Sequence, residues 1–440
     1  MNCIAQYLVR FYGMKHKLQD PNETNNLHAD PLYLTALASL GASVPAKLKA
    51  APSQGSIAVL PFVDMSGEAG HEHFTDGLTE DIITDLSNVP GFFVIARNSV
   101  FAYKGKPTDV RQIARDLGVK YVLEGSARRA GQRLRINVQL IDAGDGGNHI
   151  WAERFDRDLV DIFEVQDEVT RRIVESIAGK LAVNSIGERY HPNSLEAYDL
   201  VVRSRWQFSV SKQACLDAQN MLERAIALDP NYPEAHWLLA MVLIFNWMNW
   251  NGNPDPDKHR AMISAKKAVE LAPNETWAHA TLGYVLMGNL SWEEARGEYE
   301  YALRLNPNDA DLHMGVADFY IASYEPHKAM EHLATSLRLN PHPPGVFYWE
   351  LGMAQICIGH YAEAVVTLQR EETYGTGSRR NLIAALALLG RIDEAKTEAE
   401  LFLANNPSWS ISSWVELVPF KNTEHTQIWV KAFRLAGLPE

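Results

Sequence analysis

Pro273, Pro307 and Pro341 stand 34 residues apart, and each closes a near-copy of one segment: AVELAP, ALRLNP, SLRLNP. A fixed period of that length holds two short helices and their turns, the unit of a helical solenoid. No such unit buries its apolar side alone, so neighbours must stack along a continuous core. Twelve residues before Pro230, Pro273, Pro307, Pro341 and Pro407 stand Ala218, Ala261, Ala295, Ala329 and Ala395. Five before the same prolines stand Ala225, Ala268, Ala302, Ser336 and Phe402. Small residues at fixed places predict close helix approaches. Each proline ends a second helix because it cannot donate to the preceding turn. Gly283 and Gly352 fill a further small slot, 24 residues before positions 307 and 376. About six repeats are therefore expected over 194–410, one of them ending near Thr376 without its proline.

One interval is too long. Pro230 and Pro273 are 43 residues apart, nine more than the period, and the excess falls in IFNWMNWNGNPDPDKHR, residues 244–260. This stretch reads as a Trp-rich loop on one face of the array. Trp247 and Trp250 lie in it, outside the repeat pattern, and are candidate partner-binding residues because Trp is enriched at binding hot spots.

Upstream of the beat the pattern changes. SIAVLPF (56–62) and GFFVIAR (91–97) read as short buried strands, and residues 74–89 and 109–119 as helices. Asp109 is placed to cap the second helix and Gly118 to end it. YVLEGSARRA and RLRINVQLIDA read as the arms of a hairpin. In its second arm Leu134, Ile136, Val138 and Leu140 alternate with Arg135, Asn137 and Gln139, so one face is buried and one wet. Residues 149–156 add a strand and 161–183 a long amphipathic helix. The first 55 residues read as extension and linker, 56–185 as an α/β domain, and 411–440 as a C-terminal helical cap.

The net charge of −13 argues against a general binder of nucleic acid or anionic membrane. No stretch of about 18 uninterrupted apolar residues is present, so no membrane span is expected. Cys3, Cys215 and Cys357 are far apart, with no CxxC pair. That usage fits a reducing compartment, and a cytoplasmic location is expected.

Over roughly 194–410 the chain resembles tetratricopeptide repeat proteins. Residues 56–183 resemble the TolB N-terminal-like domain, through SIAVLPFVDMSG, FTDGLTEDIITDLS, VIARNSVFAYKGK, DVRQIARDLGVKYVLEGSARR and WAERFDRDLVDIFEVQDEVT. The resemblance implies a mixed-sheet α/β domain with flanking helices followed by an all-α superhelical solenoid. It also implies a bacterial setting in which this pair follows a class III adenylate cyclase domain or a winged-helix DNA-binding domain. A cyclase needs paired aspartates for two metal ions. The residues before Ser56 hold only Asp20 and Asp30, outside any strand-like context. The sequence therefore reads as the non-catalytic, accessory portion of such a protein.

Local constellations give little chemistry. His71, Glu72 and His73 lack the further ligands a structural metal site wants. Residues 142–147, DAGDGG, read as a hairpin turn. Asp76, Glu80, Asp81 and Asp85 read as acids complementing a helix dipole. Arg128, Arg129, Arg133 and Arg135 crowd the hairpin at Gly131 and are the best candidates for an anionic partner, although charges also guard sheet edges. Neither a catalytic set nor a cofactor is expected. The expected function is a non-enzymatic scaffold or signalling accessory that holds an extended peptide or helix of a protein partner on the concave face, without direct nucleic-acid binding. The alternatives are the regulatory part of an adenylate cyclase system and the accessory part of a transcriptional regulator.

Overall fold

The computed structural model describes residues 55–66, 72–143, 147–179, 190–207, 211–250, 254–370, 379–418 and 420–440. The extension before Gly55 lies outside them. The first elements build one mixed sheet. Its strands are β1 (Ser56–Val59), β2 (Val63–Asp64), β3 (Phe93–Val94), β4 (Tyr121–Ala130), β5 (Arg133–Asp142) and β6 (Asn148–Asp158). They run in the order β3-β1-β4-β5-β6, with β2 also pairing β4. β1 is parallel to β3 and β4, while β4, β5 and β6 form an antiparallel meander.

The alternation in β5 settles which side is inside. Leu134, Ile136, Val138 and Leu140 are buried, each burial worth roughly 1.5–3 kcal/mol. Gly125 of β4 sits on the same face because Phe62 lies across it. A Cβ there would fall 1.9 Å from the ring. Helices α1 (Glu72–Ser87), α2 (Arg97–Phe101), α3 (Val110–Leu117) and α4 (Ile162–Ala178) flank the sheet. Asp109 caps α3 by accepting from the Arg111 amide, and Gly118 closes it at φ 66°. The strand expected over 91–97 is only two residues long. Ile95 still bonds to Ile57, but the Ala96 amide donates to Leu339 of the solenoid instead. The chain leaves the sheet there to meet the repeats.

Six helical pairs follow among the described residues: α5 (Leu195–Gln207) with α6 (Lys212–Leu228), α7 (Pro233–Trp250) with α8 (Pro254–Leu271), α9 (Thr276–Gly288) with α10 (Trp292–Leu305), α11 (Ala310–Ala322) with α12 (Pro326–Leu339), α13 (Gly345–Cys357) with α14 (Tyr361–Leu368), and α15 (Arg379–Leu389) with α16 (Ile392–Asn405). They are repeats 1 to 6. Two helices, α17 (Ile411–Leu417) and α18 (Thr423–Leu435), end the chain. Ala218, Ala261, Ala295, Ala329 and Ala395 are all at 0% exposure, and Ala225, Ala268, Ala302 and Ser336 are buried with them. The glycine slot has the same origin. A Cβ on Gly283 would meet Tyr299 at 3.1 Å, and one on Gly352 would meet Leu368 at 2.6 Å. Gly352→Ala is expected to cost ~1–2 kcal/mol through this overlap. A denaturant midpoint no lower than that of the parent chain would refute it.

The extra residues of repeat 2 are helix, not loop. α7 and α8 each have 18 residues, against 13 and 14 for α9 and α10. The excess therefore lengthens both helices at their shared end. Pro254 does not prevent this, because the first helical position has no intrahelical use for its missing N–H.

Candidate binding groove and domain junction

The first helices of successive repeats carry matching stripes at i, i+3 and i+7: Glu234, Trp237 and Met241 on α7, Trp277, Ala280 and Tyr284 on α9, Asp311, Met314 and Asp318 on α11, and Val346, Trp349 and Met353 on α13. Their other faces are taken by the second helices. Gly283 lies against Tyr299 of α10, and His279 bonds Glu298 of α10 at 2.6 Å. The stripes on α7, α9 and α11 therefore turn to the inner, groove side and keep half-buried members there, Trp237, Trp277 and Asp311 among them, whereas the α13 stripe is sealed in the core. Trp237 and Trp277 stack across the gap between repeats 2 and 3 at 5.9 Å and 27°. Trp277 Nε1 donates to Asp309 at 3.0 Å, and Asp309 also caps α11 by accepting from the amides of Asp311 and Leu312.

Two carboxylates on α11 are poorly served. Asp311 Oδ1 is buried without a hydrogen-bond partner among the described residues. Burial, then Asp309 and Glu80, push its carboxyl well above the usual range, and Arg97 only partly opposes them. Asp318 is 3% exposed and has no hydrogen bond or ion pair among the described residues. Burial lifts it to about 7.

One rim of the groove is held by the α/β domain. The residue preceding a repeat's proline is the contact. Asn306 Nδ2 donates to Ser87 at 2.8 Å, and Asn340 Oδ1 accepts from Ser99 at 2.6 Å. In repeat 1 the same position, Asp229, accepts instead from the hydroxyl of Tyr190, just before α5, at 2.9 Å. Arg338 lies over Phe93, 5.1 Å from its centroid. At the start of the array a buried ionic cluster joins four helices. Arg205 of α5 meets Asp81 of α1 at 3.2 Å, Glu80 at 3.4 Å, and Glu234 of α7. Asp81 further accepts from Tyr198 at 2.6 Å and from Gln166 of α4 at 2.9 Å. Burial raises the Glu80 carboxyl, while Arg205 and Arg97 pull it down. Burial works against the Arg205 charge too, yet Glu234, Asp81 and Glu80 hold it firmly protonated. Glu80 and Asp81 are thus junction residues in mid-helix, not the dipole complement the sequence suggested.

The opposite rim, at the turns within repeats, is crossed by the C-terminal segment. The Lys421 amide donates to Ala322 at 3.0 Å and its Nζ reaches Glu293 at 2.8 Å. His425 stacks on Phe420 and Tyr324, and its Nε2 lies 3.1 Å from Cys357 Sγ. Burial holds His425 down at about 4, hence neutral. Tyr324 and Leu290 occupy the turn at φ 65° and 62°, where repeats 5 and 6 have Gly359 and Gly390.

Three further histidines are structural. His236, His279 and His313 each stand six residues after a proline and donate Nε2–H to its carbonyl at 2.9–3.0 Å. No group of three or more His, Cys, Asp or Glu residues placed to hold a metal is found among the described residues. His71 lies outside them, as do residues 144–146 of the DAGDGG turn.

The structure does not gather the residues singled out in the sequence. Trp247 is half-buried on the solenoid core, with Lys258 Nζ 4.0 Å from its ring centroid. The Trp250 side chain is outside the described residues. Arg128, Arg133 and Arg135 lie on the wet face of β4 and β5, while Arg129 alternates to the other side. Arg133 pairs Asp158 at 3.3 Å, Arg135 pairs Asp156 at 2.7 Å, and Arg129 Nε donates to Gly131. Arg128 faces Arg135 across the ladder. The groove stripes went unread because α9, α11 and α13 are buried on most sides, which hides any amphipathic signal. The signal that was available is the recurrence of acidic and aromatic residues at one phase of the beat.

A beat of paired helices, with small residues at nearly all the matching close approaches, decides the architecture. The fold is a mixed-sheet α/β domain followed by a tetratricopeptide solenoid. Residues 53–172 match the family described as HilA/YgeH-like transcriptional regulator, second domain. A Rhizobium meliloti (strain 1021) protein named "Putative adenylate cyclase 3" is 46% identical over 268 residues, 60% of this chain and 44% of that protein. The chain thus spans less than half the length of this curated relative. A thermophilic TPR protein of Thermus thermophilus is similar at 20% identity and TM-score 0.36, over 43% of this chain and 98% of its own. TolB of Acinetobacter baumannii is similar at 19% identity and TM-score 0.22, over 29% of this chain and 30% of its own. No described helix is long and apolar enough to cross a membrane.

Proposed function

We propose that this chain is a non-enzymatic scaffold that holds an extended segment of a protein partner in the groove of repeats 2 to 4. The observation that carries this reading is the inner stripe of repeats 2 to 4, where half-buried Trp237 and Trp277 stack across two repeats. Aromatic anchors of this kind are the usual hot spots of an interface. The buried Arg205 charge has its structural partners within the fold. Direct nucleic-acid binding is no part of this reading, and neither is catalysis by these residues.

Affinity capture from the native cell tests it, with a Trp237→Ala/Trp277→Ala double variant as the control. The expected result is a protein retained by the parent chain and lost at least tenfold by the variant. Equal retention by both, or turnover of ATP by the purified chain, would overturn the reading.

A second reading makes the partner a nucleotide cyclase, so that the chain regulates cyclic-nucleotide signalling. The 46% identity to the Rhizobium meliloti relative favours it. The captured complex should then form cyclic AMP from ATP with manganese, and the chain alone should not. Capture of a DNA-binding protein instead would favour the regulator description matched by residues 53–172.

A further inference from the structure

We propose that the groove of repeats 2 to 4 receives a basic segment of the partner, seating an arginine or lysine side chain between the Trp237–Trp277 pair and the carboxylates of Asp311 and Asp318. This rests on the scaffold reading and names the chemistry of its partner.

Asp311 and Asp318 lie seven residues apart on α11, two turns along one face of the helix. The fold supplies neither with adequate compensation. Asp318 is 97% buried, with no hydrogen bond or ion pair among the described residues. Its charge is felt by Tyr284 of the α9 stripe, which places it beside that stripe. Asp311 has one enclosed oxygen with no partner. The cation facing it, Arg97, lies 3.8 Å from the Phe101 centroid and is shared with Glu80. A buried carboxylate without a cation is a liability to folding. A cation arriving from outside removes that liability, and its binding is driven by the same electrostatics. The Trp pair stands at the start of the same helix, where Trp277 bonds the Asp309 cap two residues before Asp311, and π faces favour a guanidinium or ammonium over a neutral or acidic group. At 3% exposure, Asp318 is reached by a single side chain and not by a folded surface.

The test uses the intact chain at pH 8 and near-physiological salt. Three fluorescein-labelled eight-residue Gly/Ser peptides carry three Arg, three Gln or three Glu, and binding is read by anisotropy. The Arg peptide is expected to bind at least tenfold more tightly than the other two. Asp318→Asn and Asp311→Asn should each weaken it at least tenfold, while Asp393→Asn, an exposed acid on α16, leaves it unchanged. Equal Arg-peptide affinity in all four chains would overturn the inference, because diffuse attraction to an acidic protein would then explain the binding. Equal binding of the Gln peptide would overturn it as well. The two readings fail separately. A captured partner whose retention survives Asp318→Asn leaves the scaffold standing and removes the basic segment. Arg-peptide binding with no captured partner does the reverse.

Discussion

Arg205→Ala is expected to lower the unfolding free energy by about 3–5 kcal/mol, the usual cost of removing one member of a buried ionic cluster. Arg205 is 6% exposed and faces Glu80, Asp81 and Glu234, so its loss leaves three carboxylates crowded and without their cation. The loss also falls on the junction between the α/β domain and repeats 1 and 2. One cooperative transition should therefore split into two, with the α/β domain and the repeats melting apart. Acid should rescue the variant. Glu80 already holds its proton more tightly than a free carboxyl, because of burial, and without Arg205 that tendency grows. The stability gap between parent and variant should then narrow from pH 7.5 to pH 5. Chemical denaturation at the two pH values measures it. A variant within 1 kcal/mol of the parent at pH 7.5 would show that the cluster contributes no net coupling.

Asp318→Asn is expected to do the opposite and stabilise the chain at pH 8. Asp318 has its carboxyl raised from 3.8 to about 7 by burial. Tyr284 of α9 and Tyr299 of α10 feel its charge, and Glu350 of α13 acts on the same Tyr284, so no cation among these groups relieves it. The folded state therefore binds more protons than the unfolded state between pH 4 and 7. Its contribution to stability is fully present below the unfolded value and is lost as pH rises through the folded one. A shift of that size corresponds to at most about 4 kcal/mol at pH 8, since each unit is worth ~1.4 kcal/mol. Asparagine keeps the shape and drops the charge. Parent and variant should have similar midpoints near pH 4.5 and diverge towards pH 8, with the variant higher. Parallel curves over that range would show that Asp318 is ionised without penalty. Stabilisation together with loss of peptide binding would mark Asp318 as a residue kept for binding at the expense of stability.

Close packing leaves marks in a sequence, and those marks were legible. Ala295 and Ala302 are small because helices touch there, and Gly352 lacks a Cβ because Leu368 fills its place. The caps of α3 and the alternation of β5 are likewise local, so Asp109, Gly118 and the 134–140 pattern announced them. Pairing at a distance leaves no such mark. Arg205 and Asp81 are 124 residues apart, and Asn306 and Ser87 are 219 apart. The asparagine of LRLNP recurs in two repeats, but only the docked domain shows what it holds. The long interval in repeat 2 misled for a different reason. Prolines 254 and 256 suggest a loop by propensity, yet both fall in the first turn of α8, where proline is tolerated. The groove needed phase as well as spacing. Asp311 and Asp318 look like ordinary solvated acids until the helix around them is seen to be buried.

A chain of repeats that touch only their neighbours behaves as a coil spring, because small changes at each contact add up to a large change in pitch. The segment at Lys421 and His425 removes that freedom. It fastens the far end of the array to Glu293 in repeat 3, Ala322 and Tyr324 in repeat 4, and Cys357 in repeat 5. Extending the coil would have to tear all four fastenings together. The array is a braced arch of set curvature.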